Sequence, residues 1–197
     1  MHVGTHFFAG WLVAASVPGL TRRERGLITF AGVAPDIDGL SFFVEEATAN
    51  ASHPLPWYSL YHHVLCHNLG VALVMTVLAY ALAERRVAVA LLAFLSFHVH
   101  LLLDLMGSRG SDGYQWPIPY LSPFSNAWQL SWSGQWWVGA WQNTFATVVF
   151  VLATVYLAWR LGDSPLGLFS PKADAVFVAT LRARFGEPKV APTVKPV

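Results

Sequence analysis

The amino-acid sequence predicts an all-α protein, a helical bundle of about five transmembrane segments. Hydrophobic residues make up 55% of the chain and charged residues only 12%, whereas about a quarter of the residues in soluble domains are charged. The mean hydropathy is +0.46. Apolar runs of nearly bilayer-spanning length recur along the chain, separated by polar or basic connections. These observations favour an integral membrane protein.

The composition also argues against several other classes of protein. The formal net charge is only +1, and no basic stripe interleaves with aromatic residues, so we expect no nucleic-acid partner. The single cysteine, Cys66, allows neither an intrachain disulfide nor a cysteine-rich zinc site. The N-terminal residues lack the basic region and cleavage site of a secretory signal peptide, so membrane insertion is expected to use the protein's own helices.

Five apolar runs are the candidate spans, given that a helix crosses the hydrocarbon core with about 20 residues. The second run is interrupted by Pro35-Asp36-Ile37-Asp38-Gly39, which we call the elbow. This interruption predicts a broken helix whose free backbone groups face protein or a wet cavity. The third run is expected to continue as one helix from its histidines, so that His63 and His67 share a helical face. The runs cover residues 7–20 (extended to residue 2), 26–44, 62–83, 87–106 and 138–161.

These runs define a membrane domain over residues 1–161, and the more polar residues 162–197 form a tail. Within the tail, residues 172–185 have the apolar and basic pattern of a helix that lies on the membrane surface. A packed soluble helix or a partly disordered tail agrees equally well with this pattern.

The basic residues predict the orientation of the bundle. With five spans, all 12 lysines and arginines except Arg109 fall in the first and third connections or at and beyond the end of the fifth run. The positive-inside rule then places these segments and the C-terminus in the cytoplasm, and the N-terminus outside the inner membrane of a bacterium or archaeon. An outer aromatic belt is expected at the start of the fifth run, where the tryptophans are Trp128, Trp132, Trp136, Trp137 and Trp141.

The fourth run ends in an unusual polar motif, Ser-Phe-His98-Val-His100-Leu-Leu-Leu-Asp104. His100 and Asp104 are four residues apart, so they share one face of a helix and can bind the same ion. Such polar groups are costly in an apolar segment unless they are paired or act as ligands. A hydrogen-bonded pair that closes the bundle is the alternative. His98 points elsewhere on the helix, which favours a core or supporting role.

The predicted topology brings histidines and aspartates from four segments to one depth, near the outer interface of the membrane. Scattered structural polar residues would have no reason to converge in this way. Part of the pattern has a simpler explanation, because the elbow aspartates can also cap a turn after the proline. The candidates are His6 in the first run, Asp36 and Asp38 at the elbow, His62, His63 and His67 at the start of the third run, and His100 and Asp104 in the fourth.

Imidazole and carboxylate groups together suit a divalent metal such as Zn²⁺, with Mn²⁺ or Fe²⁺ as alternatives. The candidates exceed the four ligands of one zinc site. They leave room for two ions about 3.5–4 Å apart, an arrangement common in phosphoester hydrolases. One of the two aspartates Asp36 and Asp38 could serve as a general base instead of a ligand.

Several of these motifs together resemble one family, the bacterial and archaeal membrane-bound metal-dependent hydrolases, which include proteins described as LexA-binding inner-membrane hydrolases. The resemblance covers about residues 1–125 and implies a metal-dependent hydrolase. It rests on Thr5-His6, Pro35-Asp36-Ile37-Asp38, His62 with His67, and His100-x-x-x-Asp104 followed by Trp116-Pro117.

The sequence departs from this family in its third motif, which usually reads His-Arg-Gly-x-Thr-His-Ser. Here the segment reads His62-His63-Val-Leu-Cys66-His67-Asn68, so that His63 replaces an arginine suited to an anionic substrate. The order of the motifs is also similar to that of zinc-dependent phospholipase C. That family has further histidine motifs downstream, whereas no histidine follows His100 in this chain.

We therefore expect a membrane hydrolase in which metal-activated water attacks a phosphoester or related ester of a lipid or amphiphile near the outer membrane face. The alternative is a non-enzymatic membrane protein with a structural or sensory metal site. A transporter is less favoured, because the candidates crowd one interface and do not line a route across the membrane. The expected metal ligands are His6, Asp36, Asp38, His62, His67, His100 and Asp104.

Overall fold

Helices form most of the regular structure in the computed structural model, which describes residues 1–188. The α-helices are α1 (Val3–Ala15), α2 (Arg22–Ala31), α3 (Ser41–Thr48), α4 (Trp57–Tyr61), α5 (Leu69–Leu82), α6 (Arg86–Gly107), α7 (Trp141–Leu161) and α8 (Pro171–Phe185). Two 3-10 helices, Ala34–Leu40 and Pro165–Leu168, and an antiparallel pair of two-residue strands, β1 (Ile118–Pro119) and β2 (Gln129–Leu130), complete the described elements.

Helix α6 is the centre of the bundle and packs against α1, α2 and α5. Half of its most apolar stretch is buried inside the protein, whereas only 11% of the corresponding stretch of α7 is buried. Small side chains dominate the contacts around α6, which lets the helix backbones approach closely. One core cluster joins Ala14, Leu20, Ile28, Ala31, Ala79, Ala83, Val89 and Ala93.

Two glycines allow the closest helix approach, where α1 and the end of α2 meet α6. A Cβ atom at Gly10 would lie 2.8 Å from the carbonyl oxygen of Thr29 and 3.0 Å from Oγ of Ser96. A Cβ atom at Gly32 would overlap Ser96 Oγ as well. The backbone of the chain just before the elbow can therefore reach α6 only because these positions lack a side chain.

All five predicted apolar runs contain helices, but their lengths differ. Helices α6 and α7 are each long and apolar enough to cross a membrane. Helix α2 and residues 34–48 count as a third span if they are taken together, with a bend of 57° between them. Helices α1 and α5 are shorter, at 13 and 14 residues. By length and composition the described residues thus contain two or three spans, and the interruption predicted at residues 35–39 is present as a 3-10 helix.

The third run differs from its prediction at its start. Helix α5 begins only at Leu69, because the side chain of Asn68 caps it by accepting a hydrogen bond of 3.0 Å from the Val71 amide. Residues 62–68 form turns and bends, and His63 has a positive φ of 68°. The expectation that His63 and His67 share a helical face was therefore wrong. Their rings still approach, with 4.4 Å between the centroids.

The tail helix predicted over 172–185 is present as α8, which packs against the second 3-10 helix and α7. Ion pairs link this region to α2, with 2.9 Å between Arg25 and Asp163 and 3.4 Å between Arg22 and Asp174. The division into residues 1–161 and 162–197 stays a prediction, as does a position of α8 on the membrane surface. Residues 189–197 lie outside the described part of the chain.

We expect the substitution Gly10→Ala to destabilise the bundle, because the new methyl group collides with backbone of α2. Overpacking of this kind costs about 1–3 kcal/mol. Gly4→Ala, in the same helix, is the matched control, since nothing lies within 4 Å of a Cβ atom there. Thermal unfolding in detergent should give a lower midpoint for Gly10→Ala only. Equal midpoints for the two variants would contradict the close packing.

Candidate metal centre

The carboxylate of Asp104, near the end of α6, is the hub of the predicted site and is 1% exposed. Its Oδ2 lies 2.9 Å from Nε2 of His100 and 3.3 Å from Nε2 of His67. Its Oδ1 lies 3.2 Å from Nε2 of His6 and also contacts the positively charged α-amino group of Met1. Three separated segments, α1, the 62–68 loop and α6, therefore deliver their polar groups to one buried point.

The hydrogen bonds around the hub fix which ring nitrogens face it. His100 donates from Nδ1 to the carbonyl oxygen of Gly32 at 2.8 Å, so its neutral ring presents an unprotonated Nε2. His67 likewise donates from Nδ1 to Oδ2 of Asp38 at 3.2 Å. The two Nε2 atoms are 3.2 Å apart and both face Oδ2 of Asp104. These lone pairs repel one another unless a proton or a metal cation lies between them.

The geometry groups six residues into two sets that could each hold an ion, and Asp104 belongs to both. Within each set, the ligand atoms all lie within 4.8 Å of one another. Imidazole nitrogen and carboxylate oxygen are the donors that zinc and similar divalent metals use. The first set is His6, Asp36, His100 and Asp104, and the second is His63, His67 and Asp104.

Unsatisfied polar atoms support the interpretation that these residues fit a metal. His6 Nδ1, Asp36 Oδ2, His63 Nδ1 and Asp104 Oδ2 are buried without a hydrogen-bond partner among the described residues. Buried polar atoms of native proteins normally have a partner, so a concentration of exceptions calls for an explanation. The ring of His6 is also stacked on that of His100, with 3.6 Å between the centroids, which fixes its position at the hub.

Asp38, predicted as a ligand or base, has a different position from Asp36. Its Oδ1 accepts a hydrogen bond of 2.8 Å from Nδ1 of His62, and its Oδ2 accepts from the Cys66 amide at 3.0 Å and from Nδ1 of His67. A carboxylate that holds the far nitrogen of a ligating histidine orients the ring and raises its basicity. Asp38 and His62, both predicted as ligands, lie next to the two ligand sets but belong to neither.

Two further histidines complete the comparison with the sequence. His98 donates from Nδ1 to the Phe94 carbonyl oxygen at 2.7 Å, and its Nε2 lies 2.8 Å from the Tyr120 hydroxyl. Both contacts point away from the hub, as its helical position led us to expect. His63, whose role the sequence left open, belongs to the second ligand set. Its left-handed backbone turns the ring inward, and helical periodicity carries no signal for such a conformation.

A largely apolar cavity of about 470 Å³ opens beside the centre. Asp36, Tyr58 and His62 contribute polar side chains to it, next to the ligand set, and the 3-10 helix and α3 contribute most of its apolar wall. Several apolar lining residues are themselves well exposed at the surface of the protein. They are Val3, Ile37, Leu40, Phe42 and Phe43.

Comparison with known proteins gives one match. The sequence model of the family described as YdjM inner membrane protein matches residues 1–165. No curated protein and no solved structure matches the chain significantly. The family match agrees with the apolar helices and confirms the predicted membrane class. Because the match covers most of the sequence, the chain belongs to the YdjM inner membrane protein family.

Proposed function

We propose that this inner membrane protein is a metal-dependent hydrolase that acts on a phosphoester or related ester of a lipid or amphiphile. The observation that carries the proposal is the convergence of His67 Nε2, His100 Nε2 and Asp104 Oδ2, three acceptor atoms within about 3.3 Å of one another. No proton donor among the described side chains lies between them when both rings are neutral. A divalent cation satisfies all three.

The donor set suits Zn²⁺ best, with Mn²⁺ and Fe²⁺ as alternatives. A bound ion would supply Lewis acidity and a water of lowered pKa. Asp104 would hold ions in both sets, and two neighbouring ions are typical of phosphoester hydrolases.

Asp36 is the residue best placed to take up a proton from an attacking water. Its Oδ1 lies 3.7 Å from Nε2 of His100, while its Oδ2 has no partner among the described residues. It also lines the apolar cavity, where an amphiphile would enter. Asp36 is thus either a ligand or the general base. Asp38 acts through His62 and His67, whose rings it orients.

We expect purified protein to contain stoichiometric divalent metal, and Asp104→Asn to lose it, because Asp104 belongs to both ligand sets. His98→Gln is the matched control on the same helix, since His98 contacts only Phe94 and Tyr120 by hydrogen bonds. Elemental analysis of monodisperse protein measures both variants. Metal-free wild type, or unchanged metal in Asp104→Asn, would refute the site.

The same analysis distinguishes the role of Asp38 from that of a ligand. A carboxylate that only orients a ligating histidine changes metal affinity by about 10- to 100-fold when it is removed. Asp38→Asn should therefore bind metal more weakly in titrations and still reach the wild-type stoichiometry. A lower stoichiometry at saturating metal would make Asp38 a direct ligand, as the sequence first suggested.

The second candidate function is a structural or sensory metal site without catalysis. One observation favours it: His6, His67, His100 and Asp104 are all nearly fully buried, as in a closed structural site. The cavity beside Asp36 favours the hydrolase. The two functions differ in whether the metal-loaded protein hydrolyses a substrate.

Turnover of a phospholipid and phosphoester panel with restored metal decides between these functions. We expect hydrolysis by wild type and His98→Gln, and at least a hundredfold slower hydrolysis by Asp36→Asn, since loss of a general base costs about 10²–10⁴-fold. Metal retention without turnover of any substrate would favour the structural or sensory site.

The topology belongs to the same proposal. We propose five spans, in which α1 and α5 cross with their flanking residues, the metal centre lies near the extracytoplasmic face and the C-terminus is cytoplasmic. The distribution of basic residues supports this orientation. A green fluorescent protein fused after residue 197 should fluoresce, whereas an alkaline phosphatase fused there should be inactive. The opposite pattern would place the C-terminus outside the cytoplasm.

A further inference from the structure

We propose that a second pocket, which shares His62 with the apolar cavity, binds an uncharged glycosyl headgroup, so that the substrate is a glycosylated amphiphile. This inference rests on the proposed function for the reaction at the centre. It concerns a separate surface, formed by α4, the residues that follow it and the long loop between α6 and α7. We call this surface the headgroup pocket.

The headgroup pocket has a volume of about 350 Å³, and His62 lines both it and the apolar cavity. His62 is held by Asp38 at 2.8 Å and by stacking on Tyr58, with 4.6 Å between the ring centroids. The two cavities therefore share a fixed imidazole beside the metal centre.

The two cavities differ in chemistry. The wall of the apolar cavity includes Ile37, Leu40 and Phe43, which are 59%, 62% and 68% exposed. Exposed apolar side chains at the surface of a membrane protein are suited to hydrocarbon. The headgroup pocket adds hydroxyl, amide and aromatic groups to its apolar wall. Its polar and aromatic side chains other than His62 are Ser59, Tyr114, Trp116, Asn126 and Gln129, and its apolar ones are Leu60, Val64, Pro117 and Pro119.

The lining selects against a charged headgroup. No lysine, arginine, aspartate or glutamate lines the headgroup pocket within residues 1–188. An anionic group would thus lack a cationic partner. Amides and hydroxyls both donate and accept, which matches the hydroxyl groups of a sugar. Aromatic rings such as those of Tyr114 and Trp116 can pack against the apolar face of a sugar ring.

A quaternary ammonium group is the main competitor, since aromatic side chains attract cations. Trp116 is already packed against other rings, with centroid distances of 5.7 Å to His62 and 5.4 Å to His63. Only Tyr114, at 6.0 Å and 70° from Trp116, adds a second aromatic wall within the pocket. Because Tyr114 and Trp116 pack edge to face, they do not surround a cation on several sides. With the amides beside them, they suit a sugar ring better.

These observations place the parts of the substrate. The hydrocarbon chain occupies the apolar cavity, the ester lies beside Asp36 and His62, and the sugar occupies the headgroup pocket. Loop residues form most of the headgroup pocket, while the 3-10 helix Ala34–Leu40 and α3 form most of the apolar cavity. This arrangement fits a membrane lipid that keeps its polar end outside the hydrocarbon.

Photolabelling of the full-length protein in phosphatidylcholine nanodiscs tests this inference without requiring turnover. The probe is a glucosyl diacylglycerol with a diazirine in one acyl chain. We expect labelling within residues 33–43, competed by unlabelled glucosyl diacylglycerol at least tenfold better than by phosphatidylcholine or phosphatidylglycerol. Equal competition by all three lipids, or preference for phosphatidylcholine, would overturn the glycosyl assignment.

A pair of glutamine variants localises the headgroup. Gln129→Leu should weaken labelling by the glucosyl probe about three- to tenfold, the effect of one lost hydrogen bond. It should leave labelling by a diacylglycerol probe without headgroup unchanged. Gln115→Leu is the matched control, because each glutamine donates one side-chain hydrogen bond to a backbone carbonyl but only Gln129 lines the pocket.

Equal effects of the two glutamine variants would overturn the assignment of the pocket, and competition on the wild type gives an independent test. Failure of the proposed function has a different signature. A protein without stoichiometric metal or turnover would refute the hydrolase, while the preference for the glucosyl lipid could persist. Conversely, metal-dependent turnover without any headgroup preference would refute only the headgroup pocket.

Discussion

A buried carboxylate in the middle of apolar helices is the constraint on which the rest of the structure depends. Removing an ionised aspartate from water costs several kcal/mol unless other groups compensate for it. Asp104 is 1% exposed, and its compensation comes from the Met1 α-amino group and His6 of the N-terminal segment, His67 in the loop before α5 and His100 on α6 itself. The three segments must therefore converge wherever this carboxylate is placed. The fold of the bundle and the composition of the site are consequences of the same requirement.

The broken second segment makes that convergence possible. A continuous helix would use the Gly32 carbonyl in its own ladder, whereas here this carbonyl accepts a hydrogen bond from Nδ1 of His100. The lack of a side chain at Gly32 lets this carbonyl approach α6. The 3-10 helix that follows places Asp36 in the first ligand set and Asp38 against His62 and His67. A segment that is poor as a simple span is thus well suited to a site, because its irregular backbone is satisfied within the protein.

The sequence allowed prediction of those features that follow from regular periodicity. The spacing of His100 and Asp104, the interruption at the elbow and the meeting of four segments all appear in the structure. It did not allow prediction of features that depend on irregular backbone. The left-handed conformation of His63, which completes the second ligand set, follows from where α5 begins. Whether Asp38 faces a metal or a histidine nitrogen is likewise decided by the turns of the 62–68 loop. Helix lengths are a third case, since the apolar runs of α1 and α5 extend beyond their helices.

The distribution of polar groups along α6 argues against a path for ions through the bundle. Between Arg86 and His98 the only polar side chain of this central helix is Ser96. At the opposite end of the bundle the charged groups are engaged in local contacts, such as Arg25 with Asp163 and the carboxylate of Glu24 with the Arg85 amide. Proton and ion paths through membranes need a chain of ionisable groups across the bilayer. Here the histidines and aspartates of the candidate metal centre gather at one end of the bundle, beside the two cavities, which agrees with the proposed reaction on a membrane-embedded amphiphile.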